Sequence, residues 1–271
     1  ASFQLLSVLG SGSQRLACHH RFPIAVYQAG SILVIWDYTR LGEDSRRFVL
    51  LQANQKCCAL YFSKDAYCIL GLWLSQHGHP TLTAWRTADG VRLAEHRLSD
   101  AATGLPLWVD FHPETQHIVF VHGTSVLSAC VAAWDSQALQ PLHLAHGHIG
   151  GSRGTGLVSV RLVEDGRHFA TAEPCVVNFW SYAGAPGPPR QVLRVDLGKP
   201  VKAFEIQGRL TYLLAEEGRL QLMNFEGQRE QVTPTPAGSR PTALDVKNSS
   251  ICLGCEDGSL LLCRGTSPDR W

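Results

Sequence analysis

The chain has 271 residues, 45% apolar and 17% charged, and its 24 basic side chains nearly cancel 23 acidic ones to leave a net charge of +1. Such a composition supports a sizeable core, and it lacks the cationic excess with which nucleic-acid binders neutralise phosphates. The longest apolar run, residues 66–74, is nine residues long, well short of the ~20 that a membrane-spanning helix needs. The sequence opens on neither an initiator Met nor the basic flank and apolar stretch of a signal peptide, so it reads as a segment of a longer polypeptide. Nine cysteines, most of them inside apolar runs, form an odd set and read as reduced thiols in the cytosol or nucleus.

Taken in chain order, the elements repeat. A strand, a tight turn and a second strand are expected over 16–26, 59–69, 109–119 and 160–170, where Asp, Gly, Pro or Ser separates runs rich in Val, Ile, Phe and Tyr. That pattern is the hairpin signal. Each hairpin is followed by a β-branched or apolar run closed by tryptophan: Ile35-Trp36-Asp37, Ala84-Trp85-Arg86, Ala133-Trp134-Asp135 and Phe179-Trp180-Ser181. Two weaker copies, Gly218 to Met223 and Gly258 to Cys263, continue the period without tryptophan. A further short strand is expected after the third, as over 91–98 and 191–195. No stretch of a dozen residues carries a 3.6-residue period, so almost no helix is expected.

Units of 40 to 50 residues with this order of strands are those of a β-propeller, in which each small sheet buries its faces against its neighbours. The expected blades are approximately 1–45, 46–98, 99–140, 141–195, 196–230 and 231–271, one domain in all. Trp36, Asp37, Trp85, Trp134, Asp135, Trp180 and Asp257 are the residues expected to hold the blades together. Because six units are visible and edge strands are a hazard, residues 2–9 are read as the outer strand of a blade, and a seventh blade or a second propeller is expected in the parent chain.

The units resemble WD repeats. Ile35-Trp36-Asp37 and Ala133-Trp134-Asp135 match the closing dipeptide, Gly147-His148 stands ahead of Trp180 as the family's Gly-His does, and Cys255-Glu-Asp-Gly258 is similar to its turn before a third strand. The order of Leu16-Ala-Cys-His-His-Arg21, His168-Phe-Ala-Thr-Ala172, Val177-Asn-Phe-Trp180 and Ile251-Cys-Leu-Gly-Cys-Glu-Asp-Gly258 resembles the scaffold family of mitogen-activated-protein-kinase-binding protein 1 and its centrosomal relatives, and axonemal WD-repeat proteins. The pattern departs from the family where two units end in Trp85-Arg86 and Trp180-Ser181 and the last two lack tryptophan. The resemblance implies a seven-bladed or tandem propeller and a protein-binding scaffold in the cytoplasm, at the microtubule cytoskeleton, centrosome, centriole or ciliary axoneme, with kinase-pathway components as further partners. The near-neutral charge implies that contact with acidic tubulin runs through a partner or another part of the parent chain.

Candidate binding residues sit in loops expected on one rim: His77, His79, His122, His143, His146, His148, Arg153 and Arg240. Imidazoles suit transition metals, but these come from different units with no fixed mutual distance, so no metal is assigned. Gly150-Gly-Ser152-Arg-Gly154 has nucleophile-elbow spacing yet precedes a strand, where the motif requires a strand-to-helix turn. Cys252 and Cys255 have the spacing of a zinc or redox pair without a second pair, and they read as packed thiols. Asp65, Asp165 and Asp257 stand in turns that use Asp for backbone reasons. No enzyme, no cofactor, no small-molecule substrate, no direct nucleic-acid contact and no membrane contact is therefore expected. The alternative is a chromatin or signalling adaptor that reads peptides at the channel mouth, for which Trp73 and Trp108 are the aromatic candidates.

Overall fold

The computed structural model describes residues 16–19, 21–29, 32–40, 46–50, 56–74, 79–98, 108–122, 126–149, 156–183, 187–232, 240–247 and 250–264. Among these residues there are strands and turns but no helix. The strands form six small antiparallel sheets, each a meander in chain order. The first joins β1 (Leu16–Cys18), β2 (Ile24–Ala29), β3 (Ile32–Asp37) and β4 (Arg46–Leu50); the second β5 (Lys56–Phe62), β6 (Cys68–Leu74), β7 (Pro80–Arg86) and β8 (Arg92–Arg97). The third joins β9 (Trp108–His112), β10 (His117–His122), β11 (Leu127–Asp135) and β12 (Gln140–Ile149); the fourth β13 (Ser159–Leu162), β14 (His168–Glu173), β15 (Val176–Ser181) and β16 (Arg190–Asp196). The fifth has β17 (Val201–Gln207), β18 (Leu210–Ala215), β19 (Leu220–Asn224) and β20 (Arg229–Val232), and the sixth has β21 (Pro241–Lys247), β22 (Ser250–Cys255) and β23 (Leu260–Arg264).

The all-β, repeated architecture is the one the hairpin and tryptophan patterns predict, with Trp36, Trp85, Trp134 and Trp180 each on a third strand. The repeat boundaries differ at two places. Residues 46–50 close the first sheet instead of opening the second, and 140–149 close the third instead of opening the fourth. Fourth strands carry polar side chains on their exposed positions, Arg92, Glu95 and Arg97 on β8 and Arg190, Arg194 and Asp196 on β16. That charge keeps an edge from pairing with other chains.

Two compact units divide the chain: residues 1–124 with 130–144, and 125–129 with 145–271. In the first, Val26, Leu33 and Ile35 of the first sheet pack with Leu60, Ile69, Trp73 and Trp85 of the second. Leu70, Leu72 and Leu82 on the opposite face of the second sheet pack with Ile118, Phe120 and Trp134 of the third. In the second unit Val177 and Phe179 meet Phe204, Leu213 and Met223, while Tyr212, Leu214 and Leu222 meet Leu244, Ile251 and Leu253. Successive side chains of a strand face opposite ways. Covering both faces therefore explains why β6 reads as an unbroken apolar run and β18 as one interrupted only by the buried Thr211, and each buried Leu or Ile contributes ~1.5–3 kcal/mol.

Three of the turns between third and fourth strands are closed by the last residue of the third strand. Asp37 accepts the Thr39 N–H and hydroxyl at 3.1 and 2.6 Å, Asp135 accepts the Gln137 and Ala138 N–H at 2.8 and 3.0 Å, and Asn224 accepts those of Glu226 and Gln228. A short carboxylate or amide bonding to backbone two residues on makes such a turn self-supporting. Asp257 does the same ahead of β23, taking the Ser259 N–H at 2.9 Å. Trp180 donates its indole N–H to Thr171 Oγ1 at 3.0 Å, tying β15 to β14 inside the core.

Candidate functional site

The rim loops singled out in the sequence fall in large part outside the described residues, His77 and Arg153 among them. His79 is half-buried just before β7, and His122 is buried at the end of β10, its ring 5.9 Å from that of Phe120. His143, His146 and His148 lie on a strand, β12, rather than in a loop, and all three are exposed. His148 bonds through Nδ1 to the Ser128 hydroxyl at 2.8 Å. Between them Gly147 has to be glycine, because a Cβ there would stand 2.4 Å from Pro188 Cβ. Arg240 is exposed at the start of β21, its guanidinium 3.9 Å from Glu256.

Cys130 lies 3.8 Å from His143 Nδ1, a Cys/His juxtaposition, but burial pushes its thiol up to about 12, which keeps it protonated and unreactive. Cys252 and Cys255 are both buried in β22. Among the described residues no three His, Cys, Asp or Glu side chains gather as metal ligands. Trp73 is fully buried between sheets, which removes it from any surface cage, and Trp108 is half-buried.

A cluster that the sequence did not announce lies in the first unit, on the turns between first and second strands. Glu114, in the turn of the third sheet, takes Arg21 Nη2 on Oε1 at 2.7 Å and Lys64 Nζ on Oε2 at 2.9 Å. Arg21 belongs to the turn of the first sheet and Lys64 to that of the second, so one carboxylate ties three turns together. The hydrogen bond from Lys64, reinforced by the two cations, holds the Glu114 carboxyl down at about 2. All three side chains remain about half exposed. Phe22 and Tyr67, on the same first and second turns, are 47% and 46% exposed, unusual for side chains of that size.

His19 is the anchor beneath this cluster. It is 6% exposed. Its Nδ1 accepts the backbone N–H of Arg21 and of Phe22, both at 3.0 Å, which fixes the proton on Nε2; that N–H is directed at the carbonyls of Ser63 and Lys64, at 3.1 and 3.2 Å. The first turn is thereby stapled to the second. Asp65 lies close by, its carboxylate accepting the Ser63 hydroxyl at 2.6 Å and the Tyr67 N–H at 3.0 Å.

Burial, and secondarily the Arg21 charge, lower the His19 pKa below the ordinary 6.5, against the opposing pull of the two carbonyls and Asp65. Because the native ring binds a proton less readily than the unfolded one, its contribution is complete above pH 6.5. It falls away as the pH drops from there through the native pKa. The urea midpoint of the wild-type chain is therefore expected to decline more between about pH 7.5 and 5.5 than that of His19→Asn, narrowing the gap between them. Parallel pH profiles would remove His19 as the titrating group.

No family model and no curated protein matches the chain. Among solved structures it is similar to the computationally designed Ika8 protein, at 16% identity and a TM-score of 0.60, and to Saccharomyces cerevisiae Sqt1, at 11% identity and a TM-score of 0.63. Each likeness covers 93% of this chain and 72% of the other. At such identities what is shared is the fold: an all-β chain of repeated small antiparallel sheets.

Proposed function

We propose that the chain is a WD-repeat β-propeller segment acting as a non-catalytic scaffold that binds proteins through its turns and loops. The observation that carries this reading is the recurrence of one antiparallel meander, with a tryptophan on the third strand of the first four sheets and an Asp or Asn closing the turn after the third strand in the first, third and fifth. Within each unit, consecutive sheets bury their faces against one another, as the blades of a propeller do. A rigid stack of this kind supplies little chemistry of its own and presents many turns side by side, where binding residues concentrate.

The resemblance to centrosomal and axonemal WD-repeat scaffolds supplies the setting: the cytoplasmic microtubule cytoskeleton, with centriolar, ciliary or kinase-pathway proteins as partners. The fold alone carries no function, so the test lies in cells. Proximity labelling with the full parent chain in ciliated cells is expected to mark centriolar, axonemal or spindle-pole proteins, and replacing residues 150–155, which follow β12, by a Gly-Ser linker is expected to lose a subset of them. A set dominated by chromatin or metabolic proteins would overturn the cytoskeletal assignment.

A further inference from the structure

We propose that the turn cluster of Arg21, Lys64 and Glu114 is a docking site for an acidic linear segment of a partner protein, with Glu114 occupying the place of the partner's carboxylate. The proposal rests on the scaffold reading and says which face binds and by what chemistry.

The donor count carries it first. A guanidinium has five N–H donors and an ammonium three. Arg21 gives one side-chain bond, to Glu114 Oε1, and Lys64 one contact, to Oε2. Both side chains are about half exposed, 56% for Arg21 and 48% for Lys64, and among the described residues no other acid is shown bonded to either head. Two cations thus share one carboxylate. The other acid of these turns, Asp65, is engaged by the Ser63 hydroxyl and the Tyr67 amide.

Rigidity carries it second. The backbones that present Arg21 and Lys64 are joined through His19, which bonds to the amides of Arg21 and Phe22 on one side and the carbonyls of Ser63 and Lys64 on the other. The two cations are held at a spacing that already accommodates a carboxylate, because Glu114 demonstrates it. Exposed ion pairs of this kind contribute little to stability, so an incoming carboxylate displaces Glu114 at small cost, and the Glu114 side chain swings to water. Charge-assisted bonds to both cations replace those lost.

The apolar surround carries it third. Phe22 follows Arg21 directly, its ring 4.9 Å from that of His19, and Tyr67 stands on the Lys64 turn. Half-exposed aromatic residues on the same two turns as the cations match a segment in which apolar residues border the acid, since aromatics and Arg are the residues that interfaces favour.

The probe is a fluorescein-labelled peptide with adjacent glutamates flanked by leucines, compared with its glutamine counterpart by fluorescence anisotropy on the intact chain. The glutamate peptide is expected to bind more tightly than the glutamine one, and Arg21→Ala and Lys64→Ala to weaken it ~3–10-fold each, with the difference shrinking in high salt. Glu114→Gln is the deciding variant. If Glu114 mimics the partner's acid, removing its charge frees both cations and tightens binding ~3–10-fold; if it merely organises the turns, binding weakens. Unchanged or weaker binding by Glu114→Gln, or equal binding of the two peptides, would overturn the proposal. Thermal unfolding of each variant confirms the fold, which the exposure of all three side chains leaves intact. A peptide result that fails while cytoskeletal partners persist in proximity labelling sinks the acid site alone; the reverse outcome sinks only the cytoskeletal setting.

Discussion

Gly71→Ala is expected to be among the most damaging single-methyl additions in the chain. Gly71 lies in β6 opposite Thr83 of β7, and a Cβ built on it would stand 2.6 Å from Trp73 Nε1, 2.9 Å from Trp73 Cε2 and 2.7 Å from Trp85 Cζ3. Real Cβ atoms do not approach that closely, so an indole has to move. Neither can move cheaply: Trp73 has no exposed surface, Trp85 is 5% exposed, and the two rings meet edge to face with centroids 5.5 Å apart. Both rings also pack on Val26, Leu33 and Ile35 of the first sheet, so a shift propagates between sheets. Overpacking a dense core costs about 1–3 kcal/mol and at times more, and contact with two rigid rings places this substitution at the upper end, about 3 kcal/mol for Ala and more for Val. On a unit of this size that lowers the melting temperature by roughly 10 °C. Calorimetry of Gly71→Ala reads it directly, and a melting temperature within a degree or two of wild type would show that the two rings are placed otherwise.

Arg161→Leu is expected to destabilise the second unit by about 2 kcal/mol. Arg161 of β13 meets Glu205 of β17 in a two-pronged pair, Nε on Oε2 at 2.7 Å and Nη2 on Oε1 at 2.5 Å, with Nη1 bonding to the Val160 carbonyl. The side chains are 24% and 16% exposed. Removing one partner of a fully buried pair costs about 3–5 kcal/mol because the other charge is left in low dielectric, and residual exposure at this pair discounts that figure. The asymmetry is the diagnostic. Converting both residues to Leu removes both charges from the half-buried site, so the double variant is expected to recover most of the loss in urea unfolding, where additive effects would deepen it. Additivity would mean that the two residues act independently, and that β13 and β17 are held together by their apolar neighbours alone.

The pair also illustrates what a local pattern conveys. Arg161 and Glu205 are 44 residues apart, about one repeat, and each sits on the first strand of its own sheet. Alternation along β13 shows which side chains share a face, but not which strand lies opposite. Arg21 and Glu114 are 93 residues apart and come from the first and third sheets. When the hairpin turns are laid over one another, Lys64 and Glu114 fall two residues past the end of β5 and β9, and Arg21 three past the end of β1. That alignment marks the three as turn neighbours of one kind. Their convergence on a single carboxylate depends on how the sheets stack.

What the sequence by itself determined is the set of elements whose signal is short-range: hairpins at each turn-former cluster, third strands closed by Trp36, Trp85, Trp134 and Trp180, and turns held by Asp65, Asp165 and Asp257. These are decided by backbone preference and by burial on both sheet faces, which leave apolar runs and turn residues at fixed spacing. The outer strands β4 and β12 had no such signature, and their place was decided by pairing with β3 and β11. The tertiary structure alone decided that His122 is buried, that His146 and His148 lie on a strand, and that Arg21, Lys64 and Glu114 meet. Charged side chains on turns have no periodicity and little burial energy, so their partners are fixed only once the apolar faces beneath them have packed.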